Sequence, residues 1–430
     1  MFRTSVLLSL LSLVSSLVGF LVQLLMAQRF GVGLEVDAYL FTSSIPTFAA
    51  GMVSSMISYV IVPRLVECEK NIIYHRQYMG SILIGVVILG LALMGILNFF
   101  VNEIQLKILP SGSFIFQYKN LWLLILLACA VGFFLIMQAC VINMLNSVRH
   151  YIFSSTLGLL PYCVILILIP TLGDRVGIMA VPIGMLMGLV ISFSWGLFTL
   201  KRYLFPLPSL KNLLWKELGE LIRNSPYTAI AMSCFSSNLV VDAYWAPQSE
   251  QGTLATLGYV QRIVVGFGSI LVAGPSSALV PPMAGFIRDR NYPEFRRLLL
   301  RSLKITGGLA FCVVLPLVFF STEFINFLFS HAGFRQKESA VLASTLSHMA
   351  PAMIPMLVSV ISLRSLFCFP NVGRDPAKLS LVWTVLYFSL SYLLYSKGAV
   401  GLATGYSIVW LVFSVLVTAT VFLRVSREVE

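Results

Sequence analysis

Apolar stretches of about eighteen residues or more recur along this chain from Ser5 to Leu423, broken only by short polar turns. That is the length an α-helix needs to cross a hydrocarbon core of about 30 Å. Charged residues make up 11% of the 430 positions and hydrophobic residues 58%. A soluble domain carries about 25% charged residues, so this chain lacks the polar side chains to cover itself in water. Helices suit the bilayer because each closes its own backbone hydrogen bonds. The apolar/polar alternation of a membrane barrel is missing. The composition therefore implies an all-α polytopic membrane protein and excludes a soluble enzyme.

Hydropathy predicts twelve spans, at about 5–27, 38–62, 80–101, 120–145, 151–170, 177–199, 225–246, 256–285, 301–320, 339–368, 379–396 and 399–423. The first run exceeds the roughly 7–15 apolar residues of a signal-peptide core, so we read it as a retained span. Alternate loops and both termini collect 21 of the 29 Lys and Arg residues. By the positive-inside rule both termini are cytoplasmic, in a bacterial inner membrane. The net charge of +12 is thereby assigned to topology and to membrane lipids as partners, with no nucleic acid needed. Seven cysteines (Cys68, Cys129, Cys140, Cys163, Cys234, Cys312 and Cys368) are scattered without a CxxC pair. They suggest neither a disulfide framework nor a metal site.

The one long polar-rich break is KRYLFPLPSLKNLLWKELGELIR, residues 201–223. After Pro206 and Pro208, Ser209 can cap a helix whose leucines share one face, so an amphipathic helix on the inner leaflet is expected. It divides the chain into an N-terminal six-helix lobe (1–200), a linker (201–224) and a C-terminal six-helix lobe (225–430). A weak repeat agrees: residues 26–65 and 245–284 share Ala27/Ala246, Gly33/Gly252, Phe48/Phe267 and Pro63/Pro282 at a constant offset of 219. Two lobes of like orientation around a central cavity are a transporter's plan.

The segment AQRFGVGLEVDAYLFTSSIPTFAAGMVSSMISYVIVPRLVE (27–67) resembles the early signature of the MviN/MurJ-type lipid II flippases. That family belongs to the multidrug/oligosaccharidyl-lipid/polysaccharide exporter superfamily. SNLVVDAYWAPQSEQGTLATLGYVQRIVVGFGSILVAGPSSALVPPMA (237–284) is similar to the family's seventh and eighth helices, LFSHAGF (328–334) to a stretch after the ninth, and LRSLFCF with GRDP (363–376) to the tenth and its loop. The resemblance covers most of the chain. It implies a flippase for a lipid-linked saccharide, with an arginine at the position of Arg262. Where that family carries arginines in its first two helices, this chain has VGFLVQ (18–23), ending in Gln23, and PTFAAGMV (46–53). Twelve spans, against the family's usual fourteen, also suit the polysaccharide-exporter branch. The saccharide stays open at this point.

Arg262 is the first candidate for substrate binding, because a helix-centre Arg costs about 2.5–3.5 kcal/mol on insertion scales. A guanidinium binds phosphate oxygens bidentately, which suits a diphosphate. The competing reading is that it snorkels to the outer interface. Asp242 follows Asn238 by one helical turn, so the pair is read as an ion-coupling site for Na⁺ or H⁺, or Asp242 as the counter-ion of Arg262. Asp37 and Arg364, near the ends of the second and tenth spans, are read as gating or as capping and snorkelling residues. Pro46, Pro275 and Pro351, the last between His348 and Pro355, mark broken or kinked second, eighth and tenth helices that point to a central site. Ser5, Ser9, Ser12 and Ser16 share one face of the first span. There Ser12 and Ser16, with Gln23, line a polar cavity or serve helix packing.

The chain has no Gly-Lys dipeptide and hence no P-loop, and no HExxH or GxSxG motif; the expectation is a secondary transporter with no cofactor beyond a coupling ion. Its partners would be a lipid-linked oligosaccharide and enzymes of envelope-glycan synthesis. The alternatives are a small-molecule or drug exporter on the same fold, which prefers acidic spans, and a membrane-embedded glycan ligase or scaffold, the ligase needing large outer loops.

Overall fold

The computed structural model describes residues 2–61, 64–65, 68, 71–101, 113–208, 213–215, 219, 223, 226–329, 336–369 and 374–429. Among them there is no β-strand. The first six helices are α1 (Phe2–Phe30), α2 (Leu34–Met56), α3 (Ile72–Phe100), α4 (Leu121–Ser147), α5 (Tyr151–Val176) and α6 (Ala180–Leu204). Then come α7 (Pro226–Trp245), α8 (Thr253–Arg288), α9 (Tyr292–Phe319), α10 (Ser321–Phe329), α11 (Gln336–Met349), α12 (Met353–Leu366), α13 (Arg374–Leu394) and α14 (Gly398–Val429). Counting α11 and α12 as one interrupted span, and leaving out the nine-residue α10 as too short to cross, twelve helical spans result. Among the described residues eight stretches are long and apolar enough to cross a membrane, two of them holding two spans each. The two spans outside that set are α2 and α7, which carry Asp37 and Asp242.

Hydropathy locates where a helix crosses the bilayer, but capping decides where it begins. Thus α3 starts at Ile72, well before residue 80, because the Asn71 side chain accepts from the Tyr74 N–H at 3.2 Å. Likewise α9 starts at Tyr292, where Asn291 accepts from the Glu294 N–H at 3.3 Å and a proline occupies the first turn. The offset of 219 in the sequence repeat also has a structural counterpart: α2 begins directly after Gly33, and α8 directly after Gly252.

The chain divides into two compact units. The first comprises Met1–Leu25 and Leu34–Val240. Its hub is α4, which packs against α2, α3, α5 and α6. The closest pair is α5 with α6, and glycines make it possible. A Cβ at Gly188 would strike the backbone of Pro161, and one at Gly184 would lie 3.1 Å from the Ile165 Cα. The amphipathic helix expected at 209–223 falls largely outside the described residues. The flanking chain is tied to α3: the Leu214 N–H donates to the Ser81 hydroxyl at 3.3 Å, and Pro208 covers Gly80.

The second unit comprises Met26–Gly33 and Val241–Glu430. Here α8 packs on α9, α11, α12 and α14, and α14 also packs on α13. The Met26–Gly33 turn is held by the Tyr259 hydroxyl, which donates to the Gly31 carbonyl at 2.9 Å. Gly252, at φ 86°, sits against Val32 of that turn. At the far ends of α13 and α14, Arg424 pairs with Asp375 through Nη2 at 2.5 Å and Nε at 3.1 Å.

The tenth span breaks as its prolines predict: α11 ends at Met349, a single tight turn covers Ala350–Ala352, and α12 begins at Met353. Pro351 and Pro355 have no N–H to give, which frees carbonyls one turn earlier. The Ser407 hydroxyl of α14 donates to the His348 carbonyl at 2.6 Å and closes part of that gap. The second and eighth spans are not interrupted in this way. Each is one helix, α2 passing through Pro46 and α8 through position 275 without interruption. In α2 the irregularity falls later, as a π-helical turn at Ile57–Ile61.

Candidate functional site

Two polar places lie inside otherwise apolar helices, one in each unit. In the second unit, α7 delivers Asp242, only 4% exposed. Its carboxylate accepts one short hydrogen bond, from the Tyr387 hydroxyl of α13 at 2.5 Å. Trp383, Tyr387, Tyr406 and Trp410 are all buried around it. Ring centroids lie 5.2 Å apart for Trp383–Tyr387, 5.4 Å for Trp383–Trp410 and 5.7 Å for Tyr387–Tyr406. The Tyr406 phenol has Gln261 and Trp410 beside it and lies in the field of Asp242. The Trp383 indole N–H is buried there without a hydrogen-bond partner among the described residues.

A carboxylate this deep is costly unless a positive charge or a proton neutralises it. Among the described residues no Arg or Lys side chain bonds to it. A carboxylate ringed by four aromatic side chains can hold one positive charge, as a proton or as a small monovalent cation. Asn238, one turn earlier on α7, is likewise buried.

Arg262 does not complete this cluster. It sits in the third turn of α8 with its side chain exposed, and it makes no hydrogen bond or ion pair among the described residues. The counter-ion reading is therefore corrected: Asp242 is paired with a phenol, and Arg262 is left with an unengaged guanidinium. Asp37 is fully buried in the first turn of α2, while Arg364 is exposed in the last turn of α12, where it complements the helix dipole. Ser16 and Gln23 are half-buried on α1, and the Ser5, Ser9 and Ser12 side chains lie outside the described residues. The same holds for the Pro275 side chain. Pro46 is buried and Pro351 exposed. His348 is exposed, its ring Nδ1 2.7 Å from the Ser344 carbonyl.

In the first unit, α2 with the π-helical turn after it and α4 line an open cavity of about 510 Å³. Its polar lining comes from Thr47, Ser54, Ser58, Gln138, Asn143 and Asn146. Sequence reasoning passed over it because none of these residues is charged. The signal was present all the same: Gln138, Asn143 and Asn146 are amides in a helix that is otherwise almost wholly apolar. Tyr387 and Trp383 were missed for another reason. Aromatic residues in a span are ordinary, and only the fold brings these two to Asp242.

Residues 26–427 match the family model described as "Lipid II flippase MurJ". A curated relative, the "Probable lipid II flippase MurJ" of Buchnera aphidicola subsp. Baizongia pistaciae (strain Bp), is 23% identical over 413 residues, covering 92% of this chain and 79% of the relative. Among solved structures, "Lipid II flippase MurJ, inward closed conformation" superposes with a TM-score of 0.80 at 21% identity, over 98% of this chain and 90% of that one. An inward-facing multidrug resistance MATE family transporter of the MOP superfamily gives 0.78 at 16% identity, over 96% and 95%. At these identities the structural matches establish the fold alone.

Proposed function

This chain belongs to the MurJ family, and from that premise we propose that it is a flippase carrying a polyprenyl-diphosphate-linked saccharide across the inner membrane by alternating access. The family match over residues 26–427 carries the proposal. The chain's own residues supply the parts such a cycle needs. The unengaged Arg262 guanidinium offers a bidentate partner for the substrate diphosphate. The buried Asp242, bonded to Tyr387 of α13 and one turn after Asn238 on α7, takes up the coupling cation or proton. Asp37, Arg364 and the prolines at 46, 275 and 351 would adjust helix ends and bends as access alternates. Ser12, Ser16 and Gln23 would add polar lining from α1. The biased distribution of Lys and Arg supports cytoplasmic termini, and enzymes that build and use the lipid-linked glycan are the expected partners.

The test is translocation of a labelled polyprenyl-diphosphate saccharide in proteoliposomes, scored by its exposure to a membrane-impermeant reagent. Wild-type protein should move the label across the bilayer, faster with an imposed sodium or proton gradient. Translocation no faster than in empty liposomes under any gradient would reject the proposal.

A further inference from the structure

The cavity between α2 and α4 has a hydrogen-bonding character that specifies its occupant. None of its lining residues is charged. The amide donors of Gln138 and Asn143 are already spent on protein. Gln138 Nε2 donates to the Leu157 carbonyl at 3.0 Å and to the Ser192 hydroxyl at 2.8 Å. Asn143 Nδ2 donates to the Ala139 carbonyl at 2.8 Å and to the Ser58 hydroxyl at 3.0 Å. Carbonyl oxygens can only accept, so these contacts fix which end of each amide is nitrogen. The oxygens, Gln138 Oε1 and Asn143 Oδ1, have no protein donor among the described residues. The Ser54 and Ser58 hydroxyls give their protons to the carbonyls of Ala50 and Ser54, at 2.7 and 3.0 Å. They too face the space as acceptors. Thr47 makes no hydrogen bond among the described residues; Asn146 Oδ1 accepts from the Ser154 hydroxyl at 2.5 Å, so its amide nitrogen is the one amide donor of the lining that no described residue uses.

A lining rich in unused acceptors calls for a ligand rich in donors. A diphosphate at neutral pH has essentially none. It would meet more acceptors than donors, with no cation in the lining to hold it. Sugar hydroxyls and acetamido N–H groups supply what is missing, and Leu135 and Ile142 offer apolar surface to a sugar ring's C–H face. The volume is within the roughly 300–1,000 Å³ of small-molecule sites. The π-helical turn at Ile57–Ile61, which carries Ser58, adds an irregularity of a kind frequent at functional sites. We propose that this cavity is the saccharide subsite of the transported lipid and that it selects a neutral, donor-rich glycan, the diphosphate being held elsewhere. The proposal rests on the flippase reading above.

The experiment compares two probes on purified full-length protein: a polyprenyl diphosphate without sugar, and the same lipid carrying a neutral disaccharide. Binding is read by native mass spectrometry. Wild-type protein should bind the disaccharide form at least about tenfold more tightly, as expected from a few net hydrogen bonds. The double variant Thr47→Val with Ser54→Ala breaks no contact between helices. It should lose about tenfold of that preference and bind the bare diphosphate as before. Asn143→Leu should do the same where it folds, and the double variant decides if it does not. An equal loss for both probes, which would mean a diphosphate site, overturns the proposal, as does an unchanged preference. Wild-type binding of neither probe overturns the flippase reading and the subsite together.

Discussion

Replacing Tyr387 by Phe isolates the one hydrogen bond on which Asp242 depends. The ring keeps its volume and its neighbours, Trp383 at 5.2 Å and Tyr406 at 5.7 Å between centroids. Only the hydroxyl, 2.5 Å from the carboxylate, is removed. Hydrogen bonds to charged groups contribute about 1.5–3 kcal/mol net, against about 1 kcal/mol between neutral groups. Tyr387→Phe should therefore lower stability by about 2–3 kcal/mol in sodium-free buffer if the carboxylate is ionised, and by about 1 kcal/mol if a proton already sits on it. Reversible unfolding in mixed micelles, for wild type, Tyr387→Phe, Asp242→Asn and the double variant, gives a coupling energy free of ring-packing losses. It should be about 1 kcal/mol or more. Sodium should raise the unfolding midpoint of wild type and leave Asp242→Asn unmoved if that cation is the coupling ion. A coupling energy within about 0.3 kcal/mol of zero would refute the claim that the phenol holds the carboxylate.

Arg262→Ala should stop translocation of a lipid-linked saccharide in proteoliposomes with insertion intact, and Lys should rescue only partly because it lacks the guanidinium fork; full activity in Arg262→Gln would remove the residue from substrate binding. Gly188→Ala should destabilise the first unit by about 1–3 kcal/mol, since its Cβ has only the Pro161 backbone to displace, whereas alanine at Gly95, whose Cβ meets nothing, should unfold like wild type. Arg424→Ala should cost no more than about 1 kcal/mol, because the pair with Asp375 is over a quarter exposed. A cysteine at Asn291 should resist an impermeant thiol reagent in intact cells and one at Gly173 should react, in a background without the native cysteines; the reverse pattern would invert the topology.

Much of the fold was legible in the sequence because a bilayer simplifies the problem. Span length and backbone satisfaction leave few options, so twelve spans and their order follow from hydropathy, and Pro351 with Pro355 locates the break in the tenth. Helix ends were less legible, since a cap such as Asn71 or Asn291 acts over one turn and a hydropathy average blurs it. The nine-residue α10 escaped notice because it is too short to register as a span. At the site, Asp242 and Asn238 were visible as costly residues in a membrane segment. The partner of Asp242 was not, because Tyr387 lies 145 positions away and a phenol in a span attracts no attention. Arg262 was taken for a possible partner on charge alone, and the fold gave Asp242 a neutral one. The donor and acceptor balance of the first-unit cavity needed coordinates, for it depends on which amide atoms are already used.

The hydroxyl that closes the broken tenth span belongs to Ser407, and its immediate neighbour on α14 is Tyr406 of the carboxylate cluster. Two adjacent residues of one helix thus serve two different tasks. A rotation of α14 that moves the Tyr406 phenol also swings Ser407 relative to the His348 carbonyl. A slide of α14 along its axis carries both by the same distance. The occupancy of a buried carboxylate and the bend of a helix are usually separate degrees of freedom. In this unit both rest on one helix, so a rigid movement of α14 shifts the two contacts together.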